Sequence, residues 1–170
     1  VDARFQIAHE DALQIGEIYG WRLNGSTGGL GNPLLSHAAS MSYAAGRYGD
    51  GPMVKDTTRV AWSVSIPEVF HTSFWFAPSK ITTCVIWAAT GLSGQLLVGY
   101  DVSNGSFFLE DHLSKRVSVA LSVSITDRIC LGVCQTASER RLFAGRMGGD
   151  VDSASTAIAP VGTFTSLRLY

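Results

Sequence analysis

The second half of this chain alternates apolar and hydroxyl-bearing residues with a period of two. In Arg59-Val-Ala-Trp-Ser-Val-Ser-Ile66, the side chains of Val60, Trp62, Val64 and Ile66 share one face, and Arg59, Ala61, Ser63 and Ser65 share the other. Residues 117–125 repeat the pattern, with branched apolar residues set against Ser118, Ala120, Ser122 and Ser124. Alternation of this length predicts half-buried strands, because a helix would spread the same residues around its circumference.

The same test predicts further strands. Residues 72–77 place Phe74 and Phe76 on one side and Trp75 on the other. Strands follow over 84–90 and 95–100, flanked by Gly91 and Gly94. Asn104-Gly105 between two apolar runs predicts a hairpin with a type I′ turn, returning through 107–110. Residues 128–135 and 141–145 form a second hairpin around 136–139, and 163–170 close the chain as a strand. The first 58 residues are less regular: 21–24 reads as a short strand, 25–33 and 46–52 read as loops, and 9–19 reads as either an amphipathic helix or an edge strand. The expected architecture is one all-β domain over residues 1–170, a two-layer antiparallel β-sandwich.

Composition narrows the function. Hydroxyl side chains, 19 Ser and 12 Thr, outnumber the 13 basic and 14 acidic ones. An apolar fraction of 46% excludes a disordered chain. A net charge of −1 offers no basic stripe, so nucleic acid is not an expected partner. No apolar run reaches the length of a membrane-spanning helix. No charged-then-apolar signal segment precedes Val1, which is either an excised boundary or a native start with its methionine removed.

Cys130 and Cys134 sit four residues apart in an expected strand. Four extended residues span about 13 Å, too far for a disulfide, which needs Cα atoms roughly 4.4–6.8 Å apart. Cys84 could reach one of them across a sheet, leaving a thiol over. The expected role is small buried thiols on packed strands, in a chain folded in a reducing compartment.

Four segments carry a resemblance. Trp21-Arg-Leu-Asn-Gly25, Gly46-Arg-Tyr-Gly-Asp-Gly51, Phe70-His-Thr-Ser-Phe-Trp-Phe76 and Gly162-Thr-Phe-Thr-Ser-Leu-Arg-Leu-Tyr170 resemble, in order, segments of concanavalin A-like jelly rolls of the laminin-G-like type. The third, with its Ser-hydrophobic-Trp strand, is the most specific. The resemblance implies a jelly-roll sandwich and a carbohydrate-binding role. The chain departs from the family over residues 119–125, where a tryptophan-bearing strand is usual and none stands here.

Catalytic chemistry finds little support in the residues. Retaining glycosidases need two carboxyl groups about 5–5.5 Å apart, and Glu110-Asp111 are adjacent, so a strand would point them to opposite faces. No Gly-x-Ser-x-Gly elbow occurs, and His9, His37, His71 and His112 share no ligand spacing. Gly145-Arg-Met-Gly-Gly149 lacks the residues that complete a phosphate loop. The chain is therefore expected to be neither an enzyme nor a cofactor carrier. The resemblance implies a calcium site as an open alternative, near Asp101, Asn104 and Asp111 or near Asp150 and Asp152, against the simpler reading that these residues serve turns.

Binding is the better-supported role. If Phe74 and Phe76 face the core, Trp75 faces outward, and Trp87 joins it if Cys84, Ile86 and Ala88 take the core side. Trp75, Trp87 and Arg59 are the candidate ligand or partner contacts. Outward tryptophans suit stacking on sugar rings or anchoring of a protein. The expected function is a non-catalytic structural or attachment component of a homo- or hetero-oligomeric assembly, such as a virion surface or appendage. The alternative is a lectin-like carbohydrate-binding module at a virion or cell surface, with a glycan as partner.

Overall fold

A computed structural model describes residues 34–37, 43–46, 49–52, 60–157 and 162–170. The expectations for 9–19, 21–24, 25–33 and Arg59, and for the side chain of Trp62, lie outside what it describes. The described residues form strands and turns without a helix. The strands are β1 (Leu34–His37), β2 (Tyr43–Gly46), β3 (Gly49–Pro52), β4 (Val60–Ile66), β5 (Phe70–Phe76), β6 (Cys84–Gly91) and β7 (Gln95–Asp101). After them come β8 (Ser106–Asp111), β9 (Arg116–Ala120), β10 (Ile129–Gln135), β11 (Glu139–Arg146), β12 (Val151–Ala157) and β13 (Phe164–Leu169).

The chain divides into two compact units, Val1–Val64 with Arg168–Tyr170 and Ser65–Leu167. In the first, β1 pairs antiparallel with β4, and β2 with β3 form a hairpin where a loop was expected over 46–52. The second unit is a two-layer antiparallel β-sandwich of the jelly-roll type. One of its sheets runs β12-β11-β10-β5, and the other contains β13-β6-β7-β8-β9.

Registry shows which residues face the space between the sheets. From the smaller sheet come Phe74, Leu131, Val133, Leu142 and Ala144; from the larger come Leu96, Val98, Tyr100, Phe107, Leu109 and Val119. Leu131, Val133, Leu142, Leu96, Val98 and Phe107 are fully buried. Two edge-on aromatic contacts join the layers: Phe76 to Phe107 at 5.9 Å and Phe70 to Phe164 at 5.2 Å between ring centroids. Burying these side chains is the main force holding the sheets together, at roughly 25 cal/mol per Å² of apolar surface removed from water.

At one end of this core the layers are joined by charge. Arg140 on β11 donates from Nη1 to Asp111 Oδ2 on β8 at 3.1 Å, and neither side chain is more than 1% exposed. The network continues outward. Arg140 Nε donates to Gln135 Oε1, and Gln135 Nε2 donates to the Glu68 carbonyl. Asp111 Oδ1 accepts the amides of Leu113 and Lys115, which fixes the β8–β9 turn. Burial pushes the Asp111 carboxyl up, but the Lys115 and Leu113 amides and then Arg140 outweigh it, so it lies below the usual carboxylate range. Burial lowers Arg140 from its usual value, and Asp111 works against that shift.

Three details depart from the sequence reading, each for a local reason. The hairpin at Asn104-Gly105 has a four-residue loop instead of a type I′ turn. Asp101 pairs with Ser106 across it, and Gly105 takes the left-handed backbone at φ +55°. Asn104 instead gives its side-chain amide to Asp101 Oδ2 at 2.7 Å. The strand expected over 117–125 stops at Ala120, because Asp127 Oδ2 captures the Ser124 amide at 2.8 Å and the Asp127 amide returns to the Ser124 carbonyl. Ile125 is left 61% exposed in that turn. Finally, β12 was not foreseen, since its sequence has no large apolar residue after Val151.

Two outcomes test this account. Arg140→Met should cost about 3–5 kcal/mol in denaturant unfolding, because it strands a buried carboxylate, and adding Asp111→Leu should recover much of the loss. Because the Asp111 pKa is depressed by folding, its stabilising contribution is complete above the unfolded value of about 4 and is lost as pH falls through the folded value. The gap in urea midpoint between wild type and Asp111→Asn should therefore close in acid.

Candidate functional site

The tryptophans part company because of a β-bulge. Between β6 and β7, Val85 pairs with Gly99 but Trp87 pairs with Val98, so Ile86 is an extra residue. A bulge reverses the side-chain phase of a strand. Cys84 and Trp87 consequently share the core-facing side, opposite Tyr100 and Val98. Trp87 is 3% exposed and has no face to offer a ligand, which corrects the expectation that it stands beside Trp75. Gly99 belongs to the same device. A Cβ there would come within 2.4 Å of the Cys84 carbonyl oxygen and 2.3 Å of the Phe108 ring.

Trp75 does lie opposite Phe74 and Phe76. It pairs with Cys130, whereas Phe74 pairs with the core residue Leu131. Registry then defines the outer face of the smaller sheet as three rows. Trp75, Cys130, Gly145 and Val151 make the first. Ser73, Gly132, Phe143 and Ser153 make the second, and His71, Cys134, Arg141 and Ser155 the third. Trp75 and Phe143 are half-buried, on strands about 10 Å apart, two interstrand spacings. Between them the central strand carries only the small residues Cys130 and Gly132, both buried, so the trough between the two aromatic side chains is shallow, with its floor screened beneath the side chains beside it. A Cβ at Gly132 would meet Phe143 no closer than 3.5 Å, so sterics do not demand glycine there.

The far end of the trough is polar. Arg141 Nη2 donates to Glu139 Oε1 at 2.9 Å. Hydrogen bonding from Ser155, then Arg141, holds the Glu139 carboxyl below its usual range, and Glu139 raises Arg141 in turn. His71 and Ser155 are exposed beside this pair. The face thus combines flat apolar surface with hydroxyl, imidazole, guanidinium and carboxylate groups. The hairpin-level alternation pointed to Trp75; Phe143, Gly132, His71 and Arg141 were missed, because only strand registry assembles them.

Elsewhere the carboxylates are engaged in holding the fold. Glu110 binds Arg116 at 2.6 Å, Asp127 binds Arg146 at 3.2 Å, and Asp111 binds Arg140. Asp101 accepts from the Ser103 amide and hydroxyl and from Asn104, which keeps it below its usual pKa. The suggested calcium group of Asp101, Asn104 and Asp111 is not assembled. Asp101 and Asp111 end opposite sides of the loop-and-strand unit, with β8 between Asn104 and the buried Asp111. Asp150 and Asp152 are exposed at the start of β12, and among the described residues no three His, Cys, Asp or Glu side chains form a metal-holding group. No disulfide joins Cys84, Cys130 or Cys134; Cys130 is buried, the others half-buried.

Trp87→Ala should cost about 3–5 kcal/mol in thermal or denaturant unfolding, as a large-to-small core change does. Trp75→Ala should cost less than half as much, and an equal loss would place both rings in the core.

No protein-family model matches the sequence, and no curated protein matches it. Among solved structures, the enzymatically active domain of tailspike protein 2 from bacteriophage CBA120 superposes with a TM-score of 0.56 at 11% identity, covering 78% of this chain and 24% of that one. The chain therefore spans about a quarter of that tailspike chain. Domain 4 of AbnA, a GH43 extracellular arabinanase from Geobacillus stearothermophilus solved with arabinotriose, superposes with a TM-score of 0.52 at 14% identity, covering 78% of this chain and 76% of that one. At these identities the likeness concerns the fold alone: this chain superposes on most of the arabinanase domain and on about a quarter of the tailspike chain.

Proposed function

We propose that this chain is a non-catalytic, glycan-binding β-sandwich that serves as an attachment component of a larger surface assembly, such as a phage appendage. The observation that carries the reading is the outer face of β12-β11-β10-β5, where the half-buried side chains of Trp75 and Phe143 stand on either side of β10. A sugar ring presents apolar C–H faces and a rim of hydroxyls. Aromatic side chains receive the first, and Ser73, Ser153, Ser155, His71 and the Arg141–Glu139 pair receive the second. The named contexts of the structural neighbours, a phage tailspike and a domain solved with arabinotriose, are compatible with this reading. A non-catalytic role is supported by the way Glu110, Asp111, Asp127 and Glu139 are each held by an arginine.

A glycan array that includes arabinan and bacterial surface oligosaccharides, followed by calorimetry on the best ligand, tests the proposal. Trp75→Ala should weaken binding at least tenfold, about 1.4 kcal/mol. Phe143→Ala, which removes the aromatic side chain on the other flank, should weaken it comparably. Binding that survives both substitutions would move the site off this face, and an array without any hit would overturn the glycan reading.

A further inference from the structure

The edge strand β12 is built to be paired, and we propose that its partner is β12 of a second copy of this chain, running antiparallel about a two-fold axis at Ala154. β12 ends its sheet, with β11 on one side only. Its seven residues, Val-Asp-Ser-Ala-Ser-Thr-Ala, include no lysine, arginine or proline. Its pairing with β11 runs without a bulge from Glu139 opposite Ala157 to Gly145 opposite Val151. Basic residues, proline and a bulge are features by which proteins ordinarily blunt an edge, and β12 has none of them; its one charge is Asp152, on the core-facing side of the strand. Among the described residues nothing covers the strand either: Val151, Asp152, Ser153, Ser155 and Ala157 are exposed. Two other described edges differ. β9 is a short strand opening on Arg116, and every residue of β5 but His71 is half-buried.

The sequence of the strand says which partner fits. Isologous pairing requires a surface complementary to itself. Centred on Ala154, the antiparallel register sets Val151 against Ala157, Asp152 against Thr156, and Ser153 against Ser155, with Ala154 opposite its own copy. This centre is the one that pairs all seven residues. It sets the strand's single charge against a hydroxyl, and it sets two serines together, a cross-strand pair that favours pairing. Moving the centre to Asp152 would set carboxylate against carboxylate. β9 runs beside β12 in the opposing sheet and points exposed Ser118 and Ala120 outward, so small side chains border the approach of the second copy.

The axis stands perpendicular to the sheet, so the two outer faces continue on the same side of an eight-stranded sheet. Row by row, Phe143 and Ser153 of one copy run into Ser155 and Arg141 of the other. Two troughs then face one way, an arrangement that raises the avidity of a repetitive ligand without a new contact. The pairing itself does not require the ligand to be a glycan.

Disulfide trapping reads the register directly. In the proposed dimer, residue 154 lies opposite itself, within the Cα separation a disulfide accepts, whereas the two copies of residue 153 stand about 8 Å apart, beyond the roughly 7 Å limit. Under mild oxidation Ala154→Cys should run as a covalent dimer on a non-reducing gel, and Ser153→Cys should match the wild-type chain with its native thiols. Light scattering over a concentration series provides the second arm. The wild type should reach twice the monomer mass. Thr156→Glu, which sets a carboxylate against Asp152 of the second copy on the face away from the proposed glycan contacts, should remain monomeric with an unchanged melting temperature, and adding Asp152→Lys should restore the dimer. A wild type that stays monomeric, a Thr156→Glu variant that still dimerises, or equal cross-linking at 153 and 154 overturns the proposal. Single-site glycan affinity measured on the Thr156→Glu variant is expected to equal that of the wild type, so failure of the dimer and failure of the glycan reading are seen separately.

Discussion

The buried pair of Asp111 and Arg140 organises one end of the sandwich. Apolar contact between sheets is non-directional and would tolerate some sliding of one layer on the other. An ion pair removed from water has little such freedom, because separating it leaves two uncompensated charges in a poor dielectric. Asp111 is also the acceptor that shapes the β8–β9 turn, and Arg140 is tied through Gln135 to the backbone at Glu68. One salt bridge therefore couples the registry of β8 and β11 with the loops around them. A nonpolar substitute could match its contribution to stability, but it would not set the turn.

At the middle of the sandwich, aromatic edges take over. Phe76 meets Phe107, which in turn packs at 4.9 Å from Tyr100, so the two layers interlock where no charge is available. The outer face of the larger sheet is closed by a different device: Phe108 lies over Gly99, and the Arg116 guanidinium stacks 4.0 Å from the Phe108 ring. Arg116 is held there by Glu110. The larger sheet thus seals its exterior with an aromatic side chain and a cation, whereas the smaller sheet leaves Trp75 and Phe143 apart. This asymmetry is the physical reason that the binding face we propose lies on the smaller sheet.

Much of the fold was legible in the sequence, because large apolar residues at alternate positions mark β4 through β8, β10, β11 and β13. The direction of Trp75 followed from the same alternation. What escaped was whatever depends on a single displaced residue or on a partner far along the chain. Ile86 gives no sign of being an insertion, yet it sends Trp87 inward and removes half of the expected aromatic pair. Asp127 looks like an ordinary turn residue, yet its claim on the Ser124 amide ends β9 five residues early. The hydroxyl-rich β12 carries no apolar signal to find. The trough was invisible for a related reason: Phe143 and Trp75 are 68 positions apart, and only the two registers through β10 bring them to one face.

The packing of Phe143 beside buried Gly132 has a consequence for the thermodynamics of the proposed occupancy. Binding surfaces that immobilise flexible side chains when a ligand arrives lose about 0.5–1.5 kcal/mol for each. Here the half-buried Phe143 already lies against a strand locked into the middle of a four-stranded sheet, so part of its ordering precedes any guest. The remaining penalty falls on the polar group at one end, where His71 and Ser155 are exposed. Such a face is preorganised by the strand beneath it, whether or not anything is seated on it.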